Sequence, residues 1–220
     1  MSSATPTIWL AGASGLVGRA LLEELPAGSV HALLRKPLEQ APPSVSQHVL
    51  DLRSARFAAA LPAPDAVVIA LGTTIAQAGS QEAFRAVDFE LVLQIAQAAR
   101  QAGARACAVV SSLGADADSR AFYTRVKGEA EAALIALAFE HLVIARPSLL
   151  DGNRAALQQP RRLGEHLALA LIRPLAPLIP ARWRPIQAQR VARAMARALA
   201  STAQGVQILE SADLQRTGAG

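Results

Sequence analysis

Disulfide chemistry is excluded from this chain at the outset. It has one cysteine, Cys107, set in an apolar run, so no internal bridge can form. That fits a reducing compartment and leaves core packing as the role of the thiol. Aromatic residues make up only 4% of the sequence, so stacking platforms for single-stranded nucleic acid are poorly supplied. No cysteine and histidine spacing suits zinc. His31 and His48 alternate with apolar neighbours and have no ligand partner at usable spacing, so no metal is expected. The longest greasy segment, Leu167 to Ile179, is too short to cross a bilayer and is interrupted by Arg173, Pro174 and Pro177. Met1 to Thr7 lacks the basic start and apolar stretch of a signal peptide, which makes a cytoplasmic location the expectation.

Lysine is scarce as well. There are two lysines against twenty arginines, and a single tyrosine, Tyr123. The formal charge of +5 is unevenly spread: residues 146–220 carry eleven arginines and four acids, while residues 1–145 are slightly acidic. Arginine-rich solvated helix faces account for that balance, and no nucleic-acid partner is expected.

What the chain has is 220 residues, 52% of them hydrophobic, with apolar strands alternating with alanine-rich helices. This is the pattern of one α/β domain over residues 1–220. Ile8 to Ala11 reads as a buried strand and Leu16 to Leu25 as a helix. Between them lies Gly12-Ala13-Ser14-Gly15-Leu16-Val17-Gly18. A glycine turn from strand to helix suits a dinucleotide, because a side chain would hold the backbone away from the pyrophosphate. The unpaired N–H groups of the first helical turn and the helix dipole then favour its negative charge.

The second strand, Val30 to Leu34, ends at Arg35 and Lys36. An acid about twenty residues past the glycines would bond a ribose 2′-hydroxyl, whereas an arginine suits a 2′-phosphate, so this strand end points to NADP(H). Asp51, with the backbone of Leu52, ends a third strand at His48 to Leu52. It either meets the adenine edge or caps a helix over 53–61. The fourth strand, Asp65 to Leu71, runs into Gly72, Thr73 and Thr74, where glycine permits close approach and hydroxyls can bond ribose or phosphate. A long helix over 81–102 follows, with Ala83, Val87, Leu91, Ile95 and Ala98 on one face. Arg105 to Ser112 is the fifth strand, ending in Ser111 and Ser112. Tyr123 and Lys127 then share one face of a helix over 121–139. A chain that writes nearly all its cations as arginine keeps a lysine four residues after its sole tyrosine. A compact ammonium approaches a phenol and a ribose differently from a guanidinium fork. A sixth strand, His141 to Ser148, contains Arg146, Pro147 and Ser148. Residues 150–200 read as a small helical lobe over the strand ends, with helices near 162–172 and 188–200. Val206 to Leu209 suggests an edge strand, and 215–220 a loose tail.

With these residues assembled, the sequence resembles an atypical short-chain dehydrogenase/reductase, which implies a Rossmann-type doubly wound parallel sheet with a small C-terminal helical lobe. The carriers are the three glycines, Leu71-Gly72-Thr73-Thr74, Ser111-Ser112, Tyr123-x-x-x-Lys127 and Arg146-Pro147-Ser148. More narrowly, Val87-Asp88, Ser111 to Asp116 and Val126 to Glu129 resemble the Tat-interacting-protein-like branch and its bacterial relatives. Asp88 departs from the extended sugar-nucleotide epimerases, which carry asparagine there, and the chain lacks their long C-terminal domain. The resemblance implies NADPH as cofactor, bound along Gly12 to Val17, Arg35, Lys36, Asp51, Leu52, Leu71, Gly72, Thr73, Ser111, Tyr123, Lys127 and Arg146 to Ser148. It implies hydride transfer to a small carbonyl or quinone-type substrate, with Tyr123 as proton donor, Lys127 on the nicotinamide ribose, and Ser112, or second Ser111, holding the substrate oxygen. Lys127 and the positive nicotinamide of the oxidised cofactor would favour phenolate. The alternative is a non-catalytic NADP(H)-binding regulatory or protein-interaction module, with a protein partner or a homodimer.

Overall fold

The computed structural model describes residues 5–54, 56–151, 180 and 182–219. At its centre stands β1 (Ile8–Ala11), whose four residues are all buried. It pairs in parallel with β2 (Val30–Leu34) on one side and β4 (Ala66–Ile69) on the other, Ala11 lying opposite both Leu33 and Ile69. Outward from β2 comes β3 (Ser46–Val49). Outward from β4 come β5 (Ala106–Val110), β6 (His141–Arg146) and β9 (Gly205–Glu210). The order β3-β2-β1-β4-β5-β6-β9 reverses direction between β1 and β4, and all seven strands are parallel. Their carboxyl ends therefore open on one edge of the sheet, with a crevice at the switch point.

The inner strands read as unbroken apolar runs because helices cover both faces of the sheet. On one face Leu10, Val68 and Val143 pack against α1 (Leu16–Glu24) and α6 (Ala188–Leu199) through Leu21, Leu22, Val191 and Met195. On the other, Trp9, Ile69, Cys107 and Ile144 meet Ile95 and Ala99 of α4 (Val92–Gln101) and Leu134 of α5 (Phe122–Ala136). Trp9 is fully buried, and its indole N–H is satisfied by the Pro62 carbonyl at 2.9 Å.

Several elements differ from the sequence expectation. The helix over 53–61 is only a 3₁₀ turn, Phe57–Ala60, whose Phe57 ring packs on Trp9 with centroids 6.2 Å apart. The long helix over 81–102 is interrupted: α3 (Gln81–Arg85) passes through a π turn, Ala86–Leu91, into α4. Its buried stripe is Phe84, Asp88, Val92, Ile95, Ala96 and Ala99, not Ala83, Val87 and Leu91. An acid occupies the inward face because a buried cation pairs with it. The strand at Val206 to Leu209 is present, as β9. The tail is not loose through residue 217, because α7 (Ser211–Thr217) is held by a reciprocal capping box between Glu210 and Asp213 and buries Leu214 completely. The lobe over 150–200 is represented by a two-residue parallel ladder, β7 (Leu150–Asp151) with β8 (Ile186–Gln187), while α6 packs on α1 as part of the main helical layer. The helix near 162–172 and the apolar Leu167 to Ile179 segment lie outside the described residues. Among the described residues no helix is long and apolar enough to cross a membrane.

Cys107 is wholly enclosed, and burial pushes its thiol from 9.0 up to about 12. Below pH 9.0 the thiol is protonated in both folded and unfolded chains. Above it, the unfolded chain ionises while the native one keeps its proton, so this group withdraws stability as pH rises. In Cys107→Ala, the loss of melting temperature between about pH 8 and about pH 10 is therefore smaller than in the wild type. Thermal unfolding at the two pH values checks this.

Candidate active site

The β1–α1 turn shows why three glycines are spaced as they are. Gly12 has φ +87°, and a Cβ there would lie 2.5 Å from the Ala70 carbonyl oxygen at the exit of β4. A Cβ on Gly18 would run into the Gly12 carbonyl, so α1 can start this close to the turn only with glycine there. The Gly15 N–H donates to the Gly12 carbonyl at 2.9 Å and closes the turn. Gly15 is the N-cap of α1. The helix has no side-chain cap and no acid in its first turn. The N–H groups of Leu16, Val17 and Gly18, which helix geometry leaves without a carbonyl, and the positive end of the dipole are thus available to an anion. This cradle fits the diphosphate of a dinucleotide. Ala13 is buried beneath it and Ser14 is exposed at its lip.

Arg35 and Lys36 are both exposed immediately beyond β2, one strand over from the turn. Asp51 Oδ1 accepts from the Arg53 N–H at 3.1 Å and closes a local turn. The side chain of Leu52 is core, 6% exposed. Beyond β4, Leu71 and Gly72 line the crevice. The Thr73 N–H donates to Asp88 Oδ2 at 3.0 Å, and Thr74 Oγ1 caps α2 (Ile75–Ala78) by accepting from Gln77 N–H at 3.2 Å.

Helix α5 carries the other half of the site. Tyr123, Lys127 and Glu131 recur every four residues along one face. A Cβ on Gly128 would collide with the backbone of Asp116 and Ala117, so glycine lets the loop after β5 lie directly on α5. Lys127 is 5% exposed and Asp88 1%; Lys127 Nζ stands 2.7 Å from Asp88 Oδ1. This pair joins α5 to the π turn and, through Thr73, to the exit of β4. The Tyr123 ring packs on Phe84 with centroids 5.3 Å apart. Among the described residues no hydrogen bond is made to its hydroxyl.

The two serines beyond β5 are separated by their partners. The Ser111 hydroxyl donates to buried Glu131 Oε1, and its N–H to the Ala145 carbonyl at 2.7 Å. Ser112 is half-buried, and its hydroxyl lies 3.5 Å from the Leu113 carbonyl, a marginal bond. Arg146 grips Glu131 with Nε at 3.0 Å from Oε1 and Nη2 at 2.5 Å from Oε2, and reaches Glu210 Oε1 with Nη1 at 2.9 Å. The Glu131 hydrogen bond holds the Arg146 guanidinium above its ordinary range despite burial. Ser148 Oγ donates to the Arg184 carbonyl at 2.5 Å, and the Pro147 carbonyl accepts from the Leu113 N–H at 2.9 Å. The structure therefore gives Arg146, Pro147, Ser148 and the Ser111 hydroxyl internal partners.

Asp88 and Glu131 were not among the anticipated site residues. Glu131 could have been found by extending the Tyr123–Lys127 spacing one further turn. Asp88 could have been found from its place between Phe84 and Val92. His31 and His48 stack at the β2–β3 edge, Nδ1 to Nε2 2.9 Å; burial first and the neighbouring His48 second hold His31 below its usual value. Among the described residues no cluster could hold a metal ion.

Comparison with known proteins agrees with this geometry. Residues 12–168 match the NAD(P)H-binding family. Protein fmp52, mitochondrial, of Emericella nidulans is 36% identical over 173 residues, covering 74% of this chain and 74% of that protein. Its counterpart in Saccharomyces cerevisiae is 36% identical over 167 residues, 73% of this chain and 72% of that one. The Eremothecium gossypii protein is 37% identical over 148 residues, with shares of 65% and 66%. Among solved structures, MoeE5 in complex with UDP-glucose and NAD superposes with a TM-score of 0.69 at 18% identity, over 92% of this chain and 75% of that chain. UDP-glucose 4-epimerase of Thermus thermophilus, in complex with NAD, gives 0.68 at 20% identity, over 97% and 82%. At such identities they show a shared fold. Two expectations are corrected. The named relatives are FMP52 proteins, not the Tat-interacting-protein-like branch, and their mitochondrial designation overturns the cytoplasmic location. With a Rossmann sheet, a glycine cradle at its switch point and a family match over most of its length, the chain belongs to the NAD(P)H-binding family.

Proposed function

We propose that the chain is an NADPH-dependent oxidoreductase that reduces a small carbonyl or quinone-type substrate. One observation carries the reading: the phenol of Tyr123, to which no described residue makes a hydrogen bond, stands on the same helical face as Lys127 of the buried Lys127–Asp88 pair. Bound NADPH supplies the hydride. The N–H groups of Leu16 to Gly18 hold its diphosphate, and Arg35 with Lys36 takes the 2′-phosphate. Gly72 admits the backbone of the β4 exit to close contact. Ser112 orients the substrate oxygen, and Tyr123 delivers a proton to that oxygen as the carbonyl carbon accepts the hydride. Lys127 reaches the nicotinamide ribose and steadies the phenolate that remains. Asp88 fixes the ammonium in place for both tasks.

Purified protein and NADPH tested against aldehydes, ketones and quinones reads this directly. Tyr123→Phe lowers turnover by about 10²–10⁴-fold and leaves NADPH affinity within about twofold. Undiminished turnover removes the proposed acid, and tight NADPH binding without consumption across the panel favours a regulatory or protein-interaction module. Arg35→Ala weakens NADPH by about tenfold and leaves NADH unchanged, measured by calorimetry. Equal affinity of the wild type for both coenzymes contradicts the assignment of Arg35.

A further inference from the structure

The Lys127–Asp88 pair has a consequence that positioning alone does not require. Its members are 5% and 1% exposed, so solvent and salt screen them little. The small cavity beside them is lined by Val92, Val109, Ala130 and Leu134, with Ser111 and the Arg146-bound Glu131 as its other polar groups, and in so dry a setting an uncancelled charge acts strongly. The pair also lies directly under the crevice floor. A Cβ built on Gly72 would be 3.6 Å from Asp88 Oδ1 and 3.9 Å from Lys127 Nζ. The neighbouring charges are tied to one another, Glu131 and Glu210 both to Arg146, a net negative charge that substitutions at Asp88 or Lys127 leave unchanged. What the crevice senses from below therefore depends on whether Lys127 is neutralised, and Asp88 is the group that neutralises it.

A dinucleotide with its diphosphate on α1 and its 2′-phosphate at Arg35 extends its other half across β4 toward β5, above this pair. The two redox forms of a nicotinamide differ by one positive charge on the ring. We infer that Asp88 sets the balance between oxidised and reduced coenzyme: by cancelling the Lys127 ammonium, it allows the chain to hold NADP⁺ as well as NADPH. An asparagine in its place would keep the hydrogen bond from Thr73 and leave the ammonium uncancelled, disfavouring the cationic ring. This rests on the coenzyme placement proposed above.

The test is direct binding of NADP⁺ and NADPH to the full chain, by calorimetry, with no substrate present. In Asp88→Asn the ratio Kd(NADP⁺)/Kd(NADPH) rises about tenfold over wild type. For a two-electron couple that raises the potential of the bound coenzyme by about 30 mV. Lys127→Gln leaves the carboxylate alone and moves the ratio the opposite way. The double variant Asp88→Asn/Lys127→Gln, which removes both charges, returns it toward the wild-type value. Opposite shifts in the two single variants support the inference, and if one of them does not fold, the sign of the other against the double variant decides it. A ratio within about twofold of wild type in every folded variant overturns it while leaving the coenzyme site standing. Wild-type protein that binds neither form overturns the coenzyme placement itself, and the inference with it.

Discussion

A single buried ion pair organises the working edge of this molecule. Lys127 on α5 and Asp88 in the π turn meet at 2.7 Å with almost no exposure, and the second carboxylate oxygen of Asp88 holds the backbone of Thr73. Three segments remote in sequence are thereby fixed to one another at the switch point of the sheet. Removing one partner strands the other charge in the interior, which typically costs about 3–5 kcal/mol, so neither is readily dispensable. The π turn is explained by the same pair. One extra residue in the helical ladder lets both α3 and α4 face the core while Asp88 turns toward Lys127.

A second network, Ser111–Glu131–Arg146–Glu210, fastens the exit of β5 to α5, to β6 and to the start of α7. It distinguishes the two adjacent serines: the Ser111 hydroxyl closes an interior bond to Glu131, whereas Ser112 is half-buried and makes only a marginal bond to the Leu113 carbonyl. The arginine-rich C-terminal third acquires a physical meaning from such ties. Arg193 pairs with Glu24 at 3.0 Å, Arg216 with Asp213 at 2.5 Å, and Arg190 and Arg197 donate to the carbonyls of Gln215 and Thr217. Arg193 thus ties α6 to α1, Arg190 and Arg197 tie α6 to α7, and Arg216 pairs within α7, which is a structural use of positive charge.

The sheet was legible because its strands are buried on both faces and read as unbroken apolar runs. The glycine turn was legible because Gly12 and Gly18 have no room for a side chain. Tyr123 and Lys127 stood out by scarcity. The inward face of the helix after Ser80 was misread because hydrophobic periodicity assigns an acid to solvent, and Asp88 is buried only by virtue of a lysine nearly forty residues away. The ion pairs of Arg146 were not legible because its two acidic partners, Glu131 and Glu210, lie on other elements. Residues 215–217, the end of α7, were taken for the start of a loose tail because glutamate at the N-cap with aspartate three residues on is an unusual capping pair and hides the helix.

The central claim is that one coenzyme spans the sheet edge from the amino end of α1 to the phenol of α5. Backbone and aromatic chemical shifts followed by NMR during NADPH titration test it most directly. A coenzyme lying across the crevice perturbs the amides of Leu16, Val17 and Thr73 together with the Tyr123 ring, all saturating at one concentration. Perturbation of the α1 amides with an unmoved Tyr123 ring, or of neither, would contradict it.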